Sequence, residues 1–352
     1  MTLQLSTAGE SHGPALVAIV SGLPAGLVLE KAAIDADLAR RQEGYGRSPR
    51  QQIERDEVEV LAGLRHGRTL GTPLALVVPN RDHENWAWGM SPWPPEGEPH
   101  GKGTKPVTLP RPGHADLAGT QKYGFDDARD ALERASARQT AALVAAGAVA
   151  KALLGELGIF VEGEVLEMGD VDAARAERDT VGGIVEARAS GVPPGLGSYA
   201  SRETRLDARL AAALMGIQAV KGVEVGEGFA LARLRGSVAH DEIEPGLRRA
   251  SNRAGGIEAG VSNGEEIVLR AGMKPLPTLM RPLRSVDLST GEPKEALVER
   301  SDVAAVEALA VVAEAAVAFE LARAAREKFG GDAMVDVLGA YRAYLDRIEW
   351  VP

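Results

Sequence analysis

From Thr140 to Leu157 the chain reads T-A-A-L-V-A-A-G-A-V-A-K-A-L-L-G-E-L, apolar almost all the way round a helical wheel and built mainly of alanine. A helix without a polar face has to be enclosed, and alanine lets the enclosing elements come close to its backbone. The rest of the chain must therefore supply layers on more than one side of this segment. Ser136-Ala137-Arg138-Gln139 has the S-x-x-Q spacing of a capping box, which predicts a helix start near Ala137, and Gly158 is the expected stop. A second run of the same kind, E-R-S-D-V-A-A-V-E-A-L-A-V-V-A-E-A-A-V-A-F-E-L-A, begins at Glu299. There Ser301 is the expected cap, Asp302 falls in the first turn, and Gly330-Gly331 ends the helix. Two such helices, one in each half, predict a pseudo-symmetric core. With aromatics at 4%, Ala, Leu and Val have to build the interior.

Several function classes drop out on composition. The 352 residues contain no cysteine, which removes disulfides, thiolate metal ligands and cysteine nucleophiles. No segment has metal-ligand spacing either; His83-Glu84 lacks the second histidine of a zinc helix, and His83 and His100 are expected to face solvent. The net charge of −10 argues against a broad nucleic-acid surface, so any anion recognition must be local. The start, M-T-L-Q-L-S-T-A-G-E, has neither the basic nor the apolar region of a signal peptide, and no apolar run is long enough to span a bilayer. The expectation is a soluble cytoplasmic protein.

Candidate chemistry gathers at a few places. Ser136 and the first turn after it, with Arg134 and Arg138 beside the cap, form either an anion site or an ordinary helix start whose arginines pair with Glu133, Asp130 and Asp127. His114 sits upstream in a Pro-Gly-His-Ala-Asp turn. Gly9-Glu10-Ser11-His12-Gly13 lies just before a strand over Leu16 to Val20; it fits G-x-S-x-G, but a hydrolase elbow follows several strands and leads into a helix. An amphipathic helix over residues 30 to 42 is followed by Arg47, Arg50 and Arg55. With Arg40 and Arg41 these make a cationic patch that is either solvated surface or a binding face. Strands are expected over Val58 to Leu64, Thr72 to Val78, Val161 to Met168, Gly182 to Ala189 and Glu266 to Ala271, and a helix over Leu206 to Met215. Asn80 to Thr104 is a long Pro/Gly/Trp-rich loop, of a kind usually functional or mobile.

Three stretches, G-E-S-H-G-P-A-L-V-A-I-V-S-G-L-P, E-R-A-S-A-R-Q-T-A-A-L-V-A-A-G-A-V and R-S-D-V-A-A-V-E-A-L-A-V-V-A-E-A-A, resemble the signature regions of chorismate synthases. R-P-G-H-A-D, Q-K-Y-G-F-D-D, G-I-Q-A-V-K-G-V-E and S-N-R-A-G-G-I-E-A-G extend the resemblance in order over essentially the whole chain. It implies an α+β fold: a β-α-β sandwich in one domain over residues 1–352, with long Ala-rich helices packed between antiparallel sheets. The implied reaction is the last step of the shikimate pathway, in which 5-enolpyruvylshikimate 3-phosphate loses phosphate and its C6 proton in a 1,4-anti sense to give chorismate. Reduced FMN is required although the reaction is redox neutral.

By position, the resemblance makes His12 the group that protonates or stabilises the departing phosphate, and places His114 near the reduced flavin. Asp302 becomes the carboxylate working with flavin N5 on the C6 proton, with Ser11 and Ser136 holding that relay. The anionic substrate falls to Arg41, Arg47, Arg111, Arg134 and Arg138, of which Arg41 and Arg47 also match positions associated with NADP. The flavin contacts are Arg134, Ala135, Ser136, Gln218, Ala219, Ala259, Lys274, Pro275, Leu276, Pro277, Thr278 and Arg300. Ala259 stands where the family commonly has Gly, and Gln218 where Asn is common. A homotetramer is implied. With no G-x-G-x-x-G after a strand and no reductase domain, an external flavin reductase is expected to supply the reduced FMN, and NADPH only as its external reductant. A serine hydrolase and a non-catalytic phosphometabolite-binding protein are the rival readings.

Overall fold

The computed structural model describes residues 2–47, 55–299 and 302–349. Arg50, Arg300 and Ser301 lie outside the described residues. The first half opens with strands β1 (Gln4–Ala8) and β2 (Ala15–Ser21), helix α1 (Lys31–Gln42) and strands β3 (Glu59–Ala62) and β4 (Leu74–Pro79). Short helices α2 (Asp116–Tyr123) and α3 (Arg129–Ala135) then lead into α4 (Thr140–Gly155). The second half follows with β5 (Phe160–Met168), β6 (Gly183–Ser190), α5 (Leu206–Met215), β7 (Val220–Val225), β8 (Ile267–Met273), α6 (Val306–Phe329) and α7 (Met334–Ile348).

The strands form two antiparallel four-stranded sheets, ordered β1-β2-β4-β3 and β5-β6-β8-β7. Strand for strand the orders are the same, and each half runs strand, strand, helix, strand, strand, long helix. Both sheets follow the period-2 pattern that sets register: Leu16, Ala18 and Val20 of β2, and Leu74, Leu76 and Val78 of β4, point inward and are buried. Helix α4 packs on β2 and β4, α6 packs on β5 and β6, and the two helices pack on each other between the sheets. The fold is the α+β sandwich that the family resemblance implied, and the two alanine-rich runs are its enclosed helices.

Small residues set how closely these layers approach. A Cβ on Gly147 of α4 would lie 2.4 Å from the Cβ of Ala315 on α6. At Gly163 of β5 it would lie 2.3 Å from the carbonyl oxygen of Ala310. One charged cluster is buried in this interior. Glu314 on α6, 2% exposed, accepts two hydrogen bonds from Arg40 at 2.9 Å, one from Lys151 at 2.6 Å and one from the Gly163 amide at 3.1 Å. Burial opposes the charge of Glu314, and Arg40 and Lys151 more than offset that, holding the carboxyl below its usual range.

Both long helices begin later than their caps suggest. Gln139 does not close a capping box, because its amide reaches across to the Gly9 carbonyl at 2.6 Å; residues Ala137–Gln139 form a 3-10 turn instead, with the Ser136 hydroxyl accepting from the Arg138 amide. Helix α6 starts at Val306, so Asp302 precedes it rather than occupying its first turn. The backbone there is already committed: the Val303 amide donates to Gly46 and its carbonyl accepts from Val181. The Asn80–Thr104 loop contains a 3-10 turn over Arg81–Trp86.

Candidate active site

The turns at corresponding places in the two halves meet around one cavity of about 400 Å³. The first half contributes the β1–β2 turn with Ser11 and His12, the end of α1 with Arg41 and Arg47, the segment with Arg111 and His114, and the turn from Ala135 to Arg138. The second contributes Ile217 to Ala219 after α5, Met273 to Thr278 after β8, and Asp302 with the first turns of α6. Leu132, Ile217, Met273, Leu309 and Val312 supply apolar lining. The opposite character comes from guanidinium groups held inside the fold.

Each arginine is fixed by a partner, buried in the case of Arg41, Arg111 and Arg138 and partly buried in that of Arg47. Arg138 donates to Asp56 at 2.6 Å and to Asn80 at 2.9 Å, and Arg41 donates to Thr140 at 2.8 Å and lies 3.4 Å from the same Asp56. Asp56 is 4% exposed, so these cations are anchored below the cavity surface rather than waving above it. Arg47 pairs with Asp302 at 2.9 Å. Arg138 Nη2 and Arg47 Nε are buried with no hydrogen-bond partner. A buried donor without an acceptor is costly, and an anion bound in the cavity would supply what is lacking.

Both histidines rest on buried carboxylates. His12 Nδ1 lies 2.9 Å and 3.0 Å from the two oxygens of Glu133, and its own amide donates to Glu133 at 2.9 Å. The His12 ring stacks on Trp86, centroids 3.9 Å apart and planes inclined by 23°. His114 Nδ1 lies 2.5 Å from Asp116, whose other oxygen accepts from Arg111 Nε at 2.8 Å. Burial works against the charge on Asp116 and on Glu133, yet hydrogen bonds from His114 and Arg111 in the first case, and from His12 in the second, hold both carboxyls below their usual range. At Lys274 burial and the nearby Lys221 push the ammonium below its ordinary value, and its Nζ donates to the Gly113 carbonyl.

The structure thus gathers Ser11, His12, Arg41, Arg47, Arg111, His114, Ala135, Ser136, Arg138, Gln218, Ala219, Lys274, Leu276, Pro277, Thr278 and Asp302 around one space. Arg134 is turned away to bind Thr7 and Gln139, where it ties α3 to β1. Pro275 does not line the cavity, and Ala259 lies in the hairpin of Ile257–Glu258 with Val261–Ser262, with φ of +50°. His83 is not a solvent-facing group: its Nδ1 is 3.0 Å from the His12 carbonyl, because the 81–86 turn folds onto the β1–β2 turn; His100 is exposed. Ser11 is followed by a strand and shares a 3.2 Å hydrogen bond with Ser136, so nothing here builds a nucleophile elbow. Asp56, Asn80, Glu133 and Asp116 carry the support, and sequence gives little sign of them. Asp116 alone has a local signal, two residues beyond His114.

Fold and cavity together define an α+β sandwich of duplicated topology whose cavity is lined by guanidinium groups and two histidine–carboxylate pairs. The sequence profile of the chorismate synthase family matches residues 3–173 and 168–325. The chorismate synthase of Desulforudis audaxviator is 52% identical over 387 aligned residues, covering 99% of this chain and 98% of the relative. That of Rubrobacter xylanophilus is 53% identical, with 99% and 98% covered. A crystal structure of a chorismate synthase superposes with a TM-score of 0.79 at 36% identity, covering 99% of both chains. The chain belongs to the chorismate synthase family.

Proposed function

We propose that this chain, as one domain, converts 5-enolpyruvylshikimate 3-phosphate to chorismate and inorganic phosphate. The observation that supports the reading most directly is the convergence of His12, His114, Arg41, Arg47, Arg111 and Arg138 on one cavity in a chain that aligns end to end with chorismate synthases. The substrate carries a phosphate and two carboxylates, and four preplaced guanidiniums, two of them with an unsatisfied N–H, suit these anionic groups. The allylic C–O bond breaks with its electron pair leaving on phosphate, and the proton at C6 departs to complete the diene. His12 gives a proton to the departing phosphate oxygen or stabilises its charge, and Asp302, oriented by Arg47, lies on the proton's route from C6. Ser11 and Ser136, hydrogen-bonded to each other, hold that relay.

The cavity also suits reduced FMN. Its apolar lining suits a flat ring system, Ala219 places a small side chain on the lining with φ of +68°, and the buried N–H of Arg138 can donate to an anion. Ala135, Ser136, Gln218, Ala219, Lys274 and the Leu276–Thr278 segment would hold it, with His114 governing protonation beside it. When bound, reduced FMN supplies electron density that eases loss of phosphate. Arg41 and Arg47 serve the substrate in this reading, since both are anchored inside the cavity; NADPH acts only through an external flavin reductase. The assembly is a cytoplasmic homotetramer. Among the described residues no helix is long and apolar enough to cross a membrane.

The test is anaerobic turnover of 5-enolpyruvylshikimate 3-phosphate, followed by chorismate absorbance, with photoreduced FMN or with oxidised FMN plus NADPH. Product with photoreduced FMN alone is expected. Product under both conditions means that the chain reduces its own flavin, and product under neither overturns the reading.

A further inference from the structure

The His12 ring is held at Nδ1 and on one face, and its backbone is tied down beside it. Glu133, whose side chain is 2% exposed, spans Nδ1 with both oxygens and also takes the His12 amide. The Glu133 carbonyl accepts the Ser11 amide at 3.1 Å, so α3 and the β1–β2 turn are stitched together on either side of the imidazole. Trp86 lies flat against the ring, and His83 reaches the His12 carbonyl. A cation stands behind the carboxylate, Arg129 Nη1 being 3.5 Å from Glu133 Oε1. An ionised carboxylate has only acceptors, so a neutral imidazole facing it keeps its proton on Nδ1.

From this arrangement, and resting on the reaction proposed above, we infer that Glu133 is a positioning residue that fixes the tautomer and the aim of His12. With Nδ1–H held by Glu133, Nε2 is the nitrogen that exchanges a proton with the departing phosphate. Glu133 touches no substrate in this scheme and acts wholly through His12. Glutamine at the same place can present either its carbonyl or its amide to Nδ1, so Glu133→Gln preserves the shape but removes the tautomer bias.

Two measurements on the full-length protein test this. In histidine-labelled protein at alkaline pH, with the His12 signal assigned by its loss in His12→Ala, NMR should report the Nδ1–H tautomer, and Glu133→Gln should yield a tautomer mixture. In steady-state kinetics, Glu133→Gln should lower kcat by about 10–100-fold while KM stays within about threefold. In the His12→Ala background the same substitution should cost less than about twofold, because residues acting as a unit are not additive. Thermal melts check folding, and Glu133→Asp, which keeps the charge but retracts it, replaces Glu133→Gln if the latter does not fold. An unchanged tautomer, or additive losses in the double-mutant cycle, overturns the inference. Absence of turnover in the unmodified protein overturns the reaction instead, and the tautomer measurement still decides the role of Glu133.

Discussion

At His12 and His114 a carboxylate fixes one ring nitrogen and the cavity takes the rest, so substitution should act on chemistry before stability. His12→Ala and His114→Ala are each expected to slow turnover by about tenfold or more, with a smaller loss of stability because each leaves a buried carboxylate without its histidine donor; assays beside thermal melts check this. The loop that seats Trp86 on His12 has its own titrating latch. Burial opposes the charge on Asp82, but hydrogen bonds from Asn85 at 2.6 Å, Trp86 Nε1 at 3.0 Å and Lys102 at 3.1 Å bring its pKa down to about 2. A depressed folded-state value stabilises above the unfolded value, about 4, and that contribution is lost as pH falls from about 4 to about 2. Tryptophan fluorescence should show this acid transition, and Asp82→Asn should abolish it. The histidines, Arg111 and Arg138 were legible because they sit in the motifs that carry the family resemblance, and Arg41 and Arg47 as members of a cationic run. Asp56 and Asn80 were not, and Glu133, although it opens one of those motifs, gave no sign of its pairing with His12, since these roles come from long-range contacts that no local spacing encodes.

Helix α4 offers a paired experiment on packing. Gly147 faces α6 with no room for a methyl group, whereas nothing lies within 4 Å of a Cβ built on Gly155 at its end. Gly147→Ala gains up to about 1 kcal/mol of helix propensity but forces the helices apart, and overpacking costs typically about 1–3 kcal/mol. The expected outcome is net destabilisation at 147 and a small gain at 155, read by denaturant midpoints. Most element types were open to reading at this scale: apolar, β-branched runs bounded by turn residues marked β2 to β6 and β8, and unbroken alanine-rich runs marked both long helices. What escaped were the strands β1 and β7, the helices α2, α3 and α7, whose patterns are short or mixed, and the late starts of α4 and α6. Those starts are decided by tertiary hydrogen bonds, from Gln139 to Gly9 and from Val303 to Gly46, that override the cap sequence.

For the whole molecule, Glu314 is where the layers are joined electrostatically, since α1, α4, α6 and β5 all send a donor or a charge to that point. Glu314→Ala should cost near the low end of about 3–5 kcal/mol, because Arg40 keeps some access to water, and calorimetric melts check it. The replacement should also reduce substrate affinity, as the last turn of α1 carries Arg40 and Arg41 side by side. The duplicated topology has a further consequence. His12, His114 and Arg138 belong to one copy of the strand-strand-helix-strand-strand-helix plan, and Gln218, Lys274 and Asp302 to the other. Neither copy owns the whole cavity; each supplies one bank, and in the proposed reaction the chemistry would take place at the seam. A protein built this way would report its own assembly, because any event that parts the halves would take the proposed site apart at once.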